Sequence, residues 1–228
     1  RAMALPPTYT ITQRGSRALV RLAANLTLLF TEVPFLDRID AAARAGFQSI
    51  EFLFPYTELP AALTERVGRH GLEVALFNFP AGNWSDGERG IAALPDRVGE
   101  CRRGVEQALK YANALSCRRL HLMAGILPPN ADRGLYERTF VENLRYAADA
   151  VAADGIDVMV EPLNTKIDMP GYLIDSTASA MEMIRQAGRR NVKLQYDIYH
   201  MQIMEGDLAR TLERLLPAIG HVQLADNP

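Results

Sequence analysis

The chain has 228 residues, of which 48% are hydrophobic and 23% charged, so disordered, collagen-like and coiled-coil classes are excluded. Its 25 basic and 27 acidic residues give a net charge of -2, so charge provides no reason to expect a nucleic acid or an anionic membrane as a partner. The longest apolar stretch, residues 19–30, is interrupted by Arg21 and Asn25 and falls short of the roughly 18 residues that a membrane helix needs.

The chain is predicted to form one folded domain, residues 18–228. Residues 1–17 lack the apolar centre of a signal peptide, and they are interpreted as a disordered leader or a vector-derived remnant. Cys101 and Cys117 form no Cys-x-x-Cys pattern and are expected to be buried thiols in a reducing, cytoplasmic environment.

Short apolar runs alternate along the chain with stretches of helical periodicity. The runs are nearly continuous, as in strands buried on both faces of a parallel sheet. Predicted strands cover residues 21–26, 49–54, 73–79, 119–124, 157–163, 192–198 and 221–225. Predicted helices cover residues 34–45, 59–70, 96–115, 133–153, 176–187 and 207–219. Ser176 is a predicted N-cap, Pro217 is expected to bend or shorten the last helix, and Gly220 is expected to end it.

Two α/β architectures fit this alternation: a (β/α)8 TIM barrel and an open doubly wound sheet. The open sheet usually carries a glycine-rich turn after its first strand, whereas this chain contains no G-x-G-x-x-G motif or Walker loop. The prediction is therefore a TIM barrel, apparently truncated after strand seven, with the eighth strand–helix unit expected to be missing from this chain.

Active sites of such barrels lie at the carboxyl ends of the strands, so polar residues that end the apolar runs are the candidates. These residues are Asn25, Glu51, Asn78, Glu161, Asn164, Asp197, His200, Gln223 and Asp226.

Glu161 and Asp197 each follow a buried run directly. A bare carboxylate there is costly unless it is paired or bound to metal. His200, three residues after Asp197, suits a polarising hydrogen-bond donor. The alternatives are a Glu161 ion pair with a basic residue, an N-cap role for Asp197, and a structural role for His200.

Gln223 lies inside the last apolar run, and its amide oxygen can complete an oxygen-rich site, although a hydrogen-bonded buried glutamine fits equally well. Together, Glu161, Asp197 and Gln223 form an oxygen-ligand set that selects Mg²⁺ or Mn²⁺ over zinc.

Residues 78–90 are too long and glycine-rich for a simple turn, and they contain Trp84 and Arg89. Such loops often form lids or binding loops, although a surface loop is the plain alternative. Arg89 is a candidate partner for a substrate carboxylate. His121 is interpreted as a core histidine.

Four segments together resemble the hydroxypyruvate isomerase family of the xylose-isomerase-like TIM barrels: residues 78–90, 161–164, 195–201 and 220–228. The resemblance implies a divalent metal, Mg²⁺ or Mn²⁺, held by Glu161, Asp197, Gln223 and one further Glu on an eighth strand. It implies that Glu161 and that further Glu move a proton between adjacent carbons. It also implies that His200 contacts a substrate oxygen, and the motif places Asn78 and Trp84 at the substrate site.

The expected activity is the interconversion of hydroxypyruvate and 2-hydroxy-3-oxopropanoate by metal-assisted proton transfer through an enediolate. The expected binding partner is therefore a small-molecule substrate, a 2-oxo acid or a sugar acid. The oligomeric state is not predicted, and a homo-oligomer is one alternative. The alternatives are a 2-oxo-tetronate isomerase or a ketose 3-epimerase on the same site, a zinc phosphodiesterase of the endonuclease IV type, and a barrel that only binds a sugar acid.

Overall fold

A computed structural model describes residues 20–226 of the chain. The predicted boundary at residue 17 lies outside this range. The described part contains a seven-stranded parallel sheet with strand order β1-β2-β3-β4-β5-β6-β7. The strands are β1 (Ala23–Asn25), β2 (Ser49–Glu51), β3 (Glu73–Asn78), β4 (Arg119–His121), β5 (Asp157–Val160), β6 (Val192–Asp197) and β7 (Ile219–Gln223).

Within residues 20–226, seven α-helices connect or flank these strands, against six predicted. They are α1 (Phe35–Arg44), α2 (Pro60–His70), α3 (Val98–Leu115), α4 (Arg133–Val151), α5 (Thr177–Ala187), α6 (Ile198–Met204) and α7 (Leu208–Leu215). Ser176 caps α5 as predicted, because its side chain accepts a hydrogen bond from the Ser179 N–H. None of the helices in residues 20–226 has the length and apolarity that crossing a membrane requires.

The strand order identifies the architecture as a barrel rather than a doubly wound sheet, whose order reverses at a switch point. Side chains also join strands across the interior. Arg119 on β4 donates to the Gly220 carbonyl of β7 at 3.0 Å, and Glu51 on β2 contacts His221 on β7 at 2.7 Å. The sheet therefore curls towards closure, and within the described residues it comprises seven strands of a TIM barrel.

Two boundaries differ from the prediction near the last strand. α7 ends at Leu215, a 3-10 turn containing Pro217 follows, and β7 begins at Ile219 rather than at residue 221. Gly220 lies inside β7 and does not end a helix. A Cβ atom there would approach Met159 Sδ to 2.9 Å and Lys193 Cβ to 2.8 Å, so close packing of β7 on its neighbours requires glycine.

The core fills the barrel interior and the space between sheet and helices with apolar side chains. The largest fully buried ones include Tyr196, Phe52, Phe77, Phe79 and Phe140. Cys101 and Cys117 are buried free thiols as predicted, and burial raises the pKa of each to about 12.

Candidate active site

Each strand of the barrel ends in a polar residue or is followed directly by one. The side chains are Asn25, Glu51, Asn78, His121, Glu161, Asp197 and Gln223, in the order β1 to β7. Because the strands are parallel, these residues meet at one mouth of the barrel. The polar residues that end the apolar runs therefore lie at one end of the described barrel, and their functional roles stay predictions.

Glu161 follows β5 and is 5% exposed. Burial raises its pKa well above the usual value, and the negative charges of Asp197 and Glu51 add to the shift. A hydrogen bond from Gln195 opposes it in part. The site thus holds a carboxyl group that binds a proton far more readily than an exposed glutamate does.

His121 lies beside Glu161, with its Nδ1 atom 3.3 Å from Glu161 Oε2. Burial, followed by the charge of His200, lowers the His121 pKa to about 3, so the imidazole is neutral. The prediction that His121 is a core histidine is confirmed for its burial. The contact with Glu161 was not predicted. The position of His121 at the end of β4 was the signal that could have indicated it.

Asp197 ends β6 and serves as the N-cap of α6. Its Oδ1 atom accepts hydrogen bonds from the backbone N–H groups of Tyr199 at 2.7 Å and His200 at 3.3 Å. Its Oδ2 atom lies 4.0 Å from His200 Nε2. Burial raises the Asp197 pKa, and His200 and the two N–H groups oppose that shift. One carboxylate oxygen thus holds the helix, while the other is directed at the histidine.

His200 lies in the first turn of α6, and its protonation state follows from its neighbour. Asn164 donates to its Nδ1 atom from the backbone N–H at 3.2 Å, and the Asn164 side-chain nitrogen lies 2.8 Å from the same atom. Because burial lowers the His200 pKa, the ring is neutral and carries its single proton on Nε2.

Asn164 is held in this orientation by the loop after β5. Its Oδ1 atom accepts the backbone N–H groups of Ile167 and Asp168, and its Nδ2 atom also donates to the Asp168 carboxylate. The amide nitrogen is therefore fixed towards His200. From the sequence, Asn164 is predicted only as a strand-end candidate, without a role.

Atoms of Glu161, Asp197 and His200 lie within 4.8 Å of one another, which fits a metal ion by distance. The site also contains more buried carboxylates than basic groups, which fits a divalent cation. The positive charge of the cation would offset the repulsion between carboxylates that helps to raise the pKa values of Glu161 and Asp197. The tautomer of His200 does not fit a metal ligand, however, because Nε2 carries a proton. His200 is better suited to donate a hydrogen bond.

Gln223 pairs with Asp197 in the β6–β7 register. Its Oε1 atom accepts from Gln195 Nε2 at 2.9 Å, and its Nε2 atom donates to Glu51 Oε1 at 2.8 Å. The structure thus shows a hydrogen-bonded glutamine that is partly buried, and its role as a ligand stays a prediction. The amide oxygen is on the side of Gln195, which also contacts Glu161.

The loop of residues 78–90 keeps its polar groups largely within itself. The Arg89 guanidinium lies 4.2 Å from the Trp84 ring centroid, and its Nη1 donates to the carbonyls of Trp84 and Glu88. Trp84 packs on Phe54, with 5.1 Å between ring centroids. Among the contacts of the described residues, none joins Arg89 or Trp84 to Glu161, Asp197 or His200.

Asn78, which ends β3, is buried beside His121 in the β3–β4 register. Its Nδ2 atom lies 3.5 Å from Met123 Sδ, and its Oδ1 atom has no hydrogen-bond partner in the described part of the chain. Asn78 therefore offers a buried acceptor at the barrel mouth.

Comparison with known proteins identifies the family. The model of the xylose isomerase-like TIM barrel family matches residues 39–228. The chain belongs to that family. The 2-oxo-tetronate isomerase of Cupriavidus necator is 46% identical over 91% of this chain and 80% of its own length. The hydroxypyruvate isomerase of Escherichia coli K12 is 43% identical over 92% of this chain and 81% of its own length. The predicted resemblance to the hydroxypyruvate isomerase family is therefore confirmed.

Two solved structures share this fold. A Brucella melitensis protein described as an AP endonuclease of family 2 has a TM-score of 0.88 and 50% identity, with 91% of this chain and 80% of its own covered. The 3-keto-D-glucoside 4-epimerase YcjR of Escherichia coli has a TM-score of 0.70 at 22% identity, over 84% of this chain and 74% of its own. The second likeness concerns the fold alone.

Proposed function

We propose that this protein is an isomerase that interconverts hydroxypyruvate and 2-hydroxy-3-oxopropanoate by moving a proton between adjacent carbons. The observation that carries the proposal is the buried Glu161, whose pKa is raised, lying beside Asp197 and the Nε2–H of His200. A buried carboxyl group whose pKa is raised holds a proton more readily than an exposed glutamate does, and a group of this kind can act as general acid and base during turnover. The names of relatives at 43–46% identity support the same class of reaction.

Glu161 transfers the proton in this scheme, and the neighbouring side chains set its properties. Gln195 and His121 hold the carboxylate, while burial excludes water and keeps the pKa high. The Nε2–H of His200 donates to a substrate oxygen, where negative charge develops in an enediolate. Asn164 keeps the proton on that nitrogen.

Glu161, Asp197 and Gln223 would hold a divalent cation, and oxygen ligands favour Mg²⁺ or Mn²⁺. When bound, such a cation supplies Lewis-acid stabilisation of the charge that develops on substrate oxygens. A further glutamate from an eighth strand, implied by the resemblance to the family, stays a prediction.

Arg89 is proposed to bind the substrate carboxylate. Its described hydrogen bonds involve Nη1, and a guanidinium carries five N–H donors. Contact with substrate would require residues 78–90 to approach the barrel mouth, with Trp84 covering the substrate and Asn78 accepting a hydrogen bond from it.

A 2-oxo-tetronate isomerase is the second candidate, because the relatives with that name reach 46% identity. Both substrates place a carbonyl beside a carbon that bears a hydroxyl and a hydrogen. The site chemistry is therefore shared, and the candidates differ in substrate length.

A zinc phosphodiesterase fits less well, in spite of the description of the Brucella melitensis protein. Zinc clusters favour histidine ligands, and the chain has four histidines. His70 binds Asp40 on the outer helices, His221 binds Glu51, and the Nδ1 atom of His200 is occupied by Asn164. The net charge of -2 also gives no electrostatic attraction to nucleic acid.

The experiment that tests the proposal is a substrate panel with Mg²⁺ or Mn²⁺ present. Hydroxypyruvate, 2-oxo-tetronate and D-fructose are compared by kcat/KM, with NMR identification of the products. We expect turnover of hydroxypyruvate at least tenfold above that of 2-oxo-tetronate. The reverse order supports the second candidate, and C3 epimerisation of D-fructose as the fastest reaction refutes both.

A further inference from the structure

Glu51 is a buried carboxylate that the proposed reaction does not use. It ends β2, and its side chain accepts three hydrogen bonds at the barrel mouth. The donors are Asn25 Nδ2 at 3.1 Å, Gln223 Nε2 at 2.8 Å and His221 Nε2 at 2.7 Å. Two of these donors are on β7, 170 and 172 residues away in sequence.

An ionised carboxylate only accepts hydrogen bonds, and this property orders its partners. Beside Glu51, His221 must carry a proton on Nε2, and Gln223 must turn its amide nitrogen towards the carboxylate. The Gln223 oxygen is then directed away from Glu51. It is met there by Gln195 Nε2 at 2.9 Å, on the side of Glu161.

We infer that Glu51 is a positioning residue that fixes the side-chain amide of Gln223 so that its oxygen, and not its nitrogen, faces the Glu161 and Asp197 carboxylates. The inference rests on the proposed function in one respect, namely that this oxygen serves as a cation ligand. A glutamine amide can turn by 180° with little change in shape, and an NH₂ group cannot bind a cation. His221 and Asn25 in turn hold Glu51.

Glu51 is not proposed as a proton-transferring group. Three donors already surround its carboxylate oxygens, and these hydrogen bonds fix the orientation of the side chain. A residue that orients a metal ligand typically changes metal affinity by about 10- to 100-fold when it is replaced.

The test is Mn²⁺ binding to the purified protein and to the Glu51→Gln variant, by isothermal titration at a temperature where both are folded. Glutamine keeps the shape of Glu51 but can donate to the Gln223 oxygen, so the amide is free to turn. We expect the Kd for Mn²⁺ to rise at least tenfold. Glu65→Gln, on the exposed face of α2, is the matched control and should leave the Kd unchanged.

A second variant restores an oxygen ligand at position 223 whatever the orientation of that side chain. In Glu51→Gln combined with Gln223→Glu, residue 223 presents an oxygen whichever way it turns. We expect the Kd to return to within about threefold of the parent value. A Glu51→Gln Kd within twofold of the parent value, or a double variant as weak as the single one, would overturn the inference.

The orientation of Gln223 can also be measured in the unmodified protein without metal. The side-chain NH₂ signals of Gln223, identified by their loss in Gln223→Glu, should show nuclear Overhauser contacts to Asn25 and His221. Contacts to Gln195 instead would mean the opposite orientation and would refute the inference. Isomerase activity enters none of these measurements, so failed turnover with an intact Glu51 effect would count against the proposed function alone.

Discussion

The backbone N–H of Asn164 donates to Nδ1 of His200 across 3.2 Å, and this contact determines which ring nitrogen carries the proton. A backbone N–H cannot accept a hydrogen bond, so Nδ1 must be the acceptor and Nε2 the donor in the neutral ring. A residue on the loop after β5 thus defines how a residue on α6 can act. His200 consequently faces the carboxylates as a hydrogen-bond donor.

Asn164→Asp keeps the backbone N–H but places a carboxylate beside Nδ1 of His200, which should favour the protonated ring. We expect the pKa of His200 to rise by about 1 to 3, as measured by NMR titration of its ring protons. Asn113→Asp, on the exposed face of α3, is the control for the chemical change alone. An unchanged His200 pKa in Asn164→Asp would contradict the contact between the Asn164 side chain and His200 Nδ1.

Glu161→Gln should abolish turnover with the fold intact, because the amide cannot take up or release the proton. We expect kcat to fall by about 10²- to 10⁴-fold, with an unchanged circular dichroism spectrum. Glu142→Gln, exposed on α4, is the matched control. Retention of more than a tenth of the parent rate would refute the role of Glu161.

The strand-end residues were predictable because the strands are short and largely apolar, which leaves few places in them for polar side chains. Glu161, Asp197 and Gln223 were found in this way, and so was the barrel. The contacts between them were not, since Glu51 and His221 are 170 residues apart and meet only when the sheet curls. Helix α6 was missed because the N-cap role of Asp197 was considered only as an alternative to metal binding, whereas its two oxygens allow both.

The same Glu161 substitution should stabilise the metal-free protein at alkaline pH. The folded-state pKa of Glu161 is raised, so folded protein holds this proton more tightly than unfolded protein does. Stability is then lost as pH rises from the ordinary glutamate pKa through the folded value. We expect Glu161→Gln to melt higher than the parent at pH 8, by about 2–4 °C per kcal/mol gained, and the gap to close towards pH 4. A gap that widens on acidification would contradict the direction of the shift.

Divalent cation should stabilise the folded protein through Asp197. At a cation concentration about 100 times Kd, binding contributes about 2.7 kcal/mol, or about 5–11 °C in Tm, measured with and without chelator. Asn caps helices as well as Asp does, so Asp197→Asn should keep α6 and lose this increase. The control is Asp132→Asn, which makes the same change at the N-cap of α4, away from the site. This variant should keep the cation-dependent increase in Tm. Equal increases in both variants would exclude Asp197 as a ligand.

The loop of residues 78–90 has a built-in probe, because Trp84 is the only tryptophan in the chain. If Arg89 binds the substrate carboxylate, Arg89→Met should raise KM for hydroxypyruvate about tenfold or more with a smaller change in kcat. Substrate should also change Trp84 fluorescence in the parent protein. An unchanged KM would remove Arg89 from the substrate site.

The most direct test of the central claim is NMR of hydroxypyruvate with the purified protein and Mg²⁺ or Mn²⁺ in D₂O, with a chelator control. Proton transfer at Glu161 predicts conversion to 2-hydroxy-3-oxopropanoate, with deuterium incorporated at the carbon that receives the proton. Conversion and deuterium incorporation should both be lost when the chelator is added. Neither conversion nor deuterium uptake, from protein that is folded and binds Mn²⁺, would contradict the account.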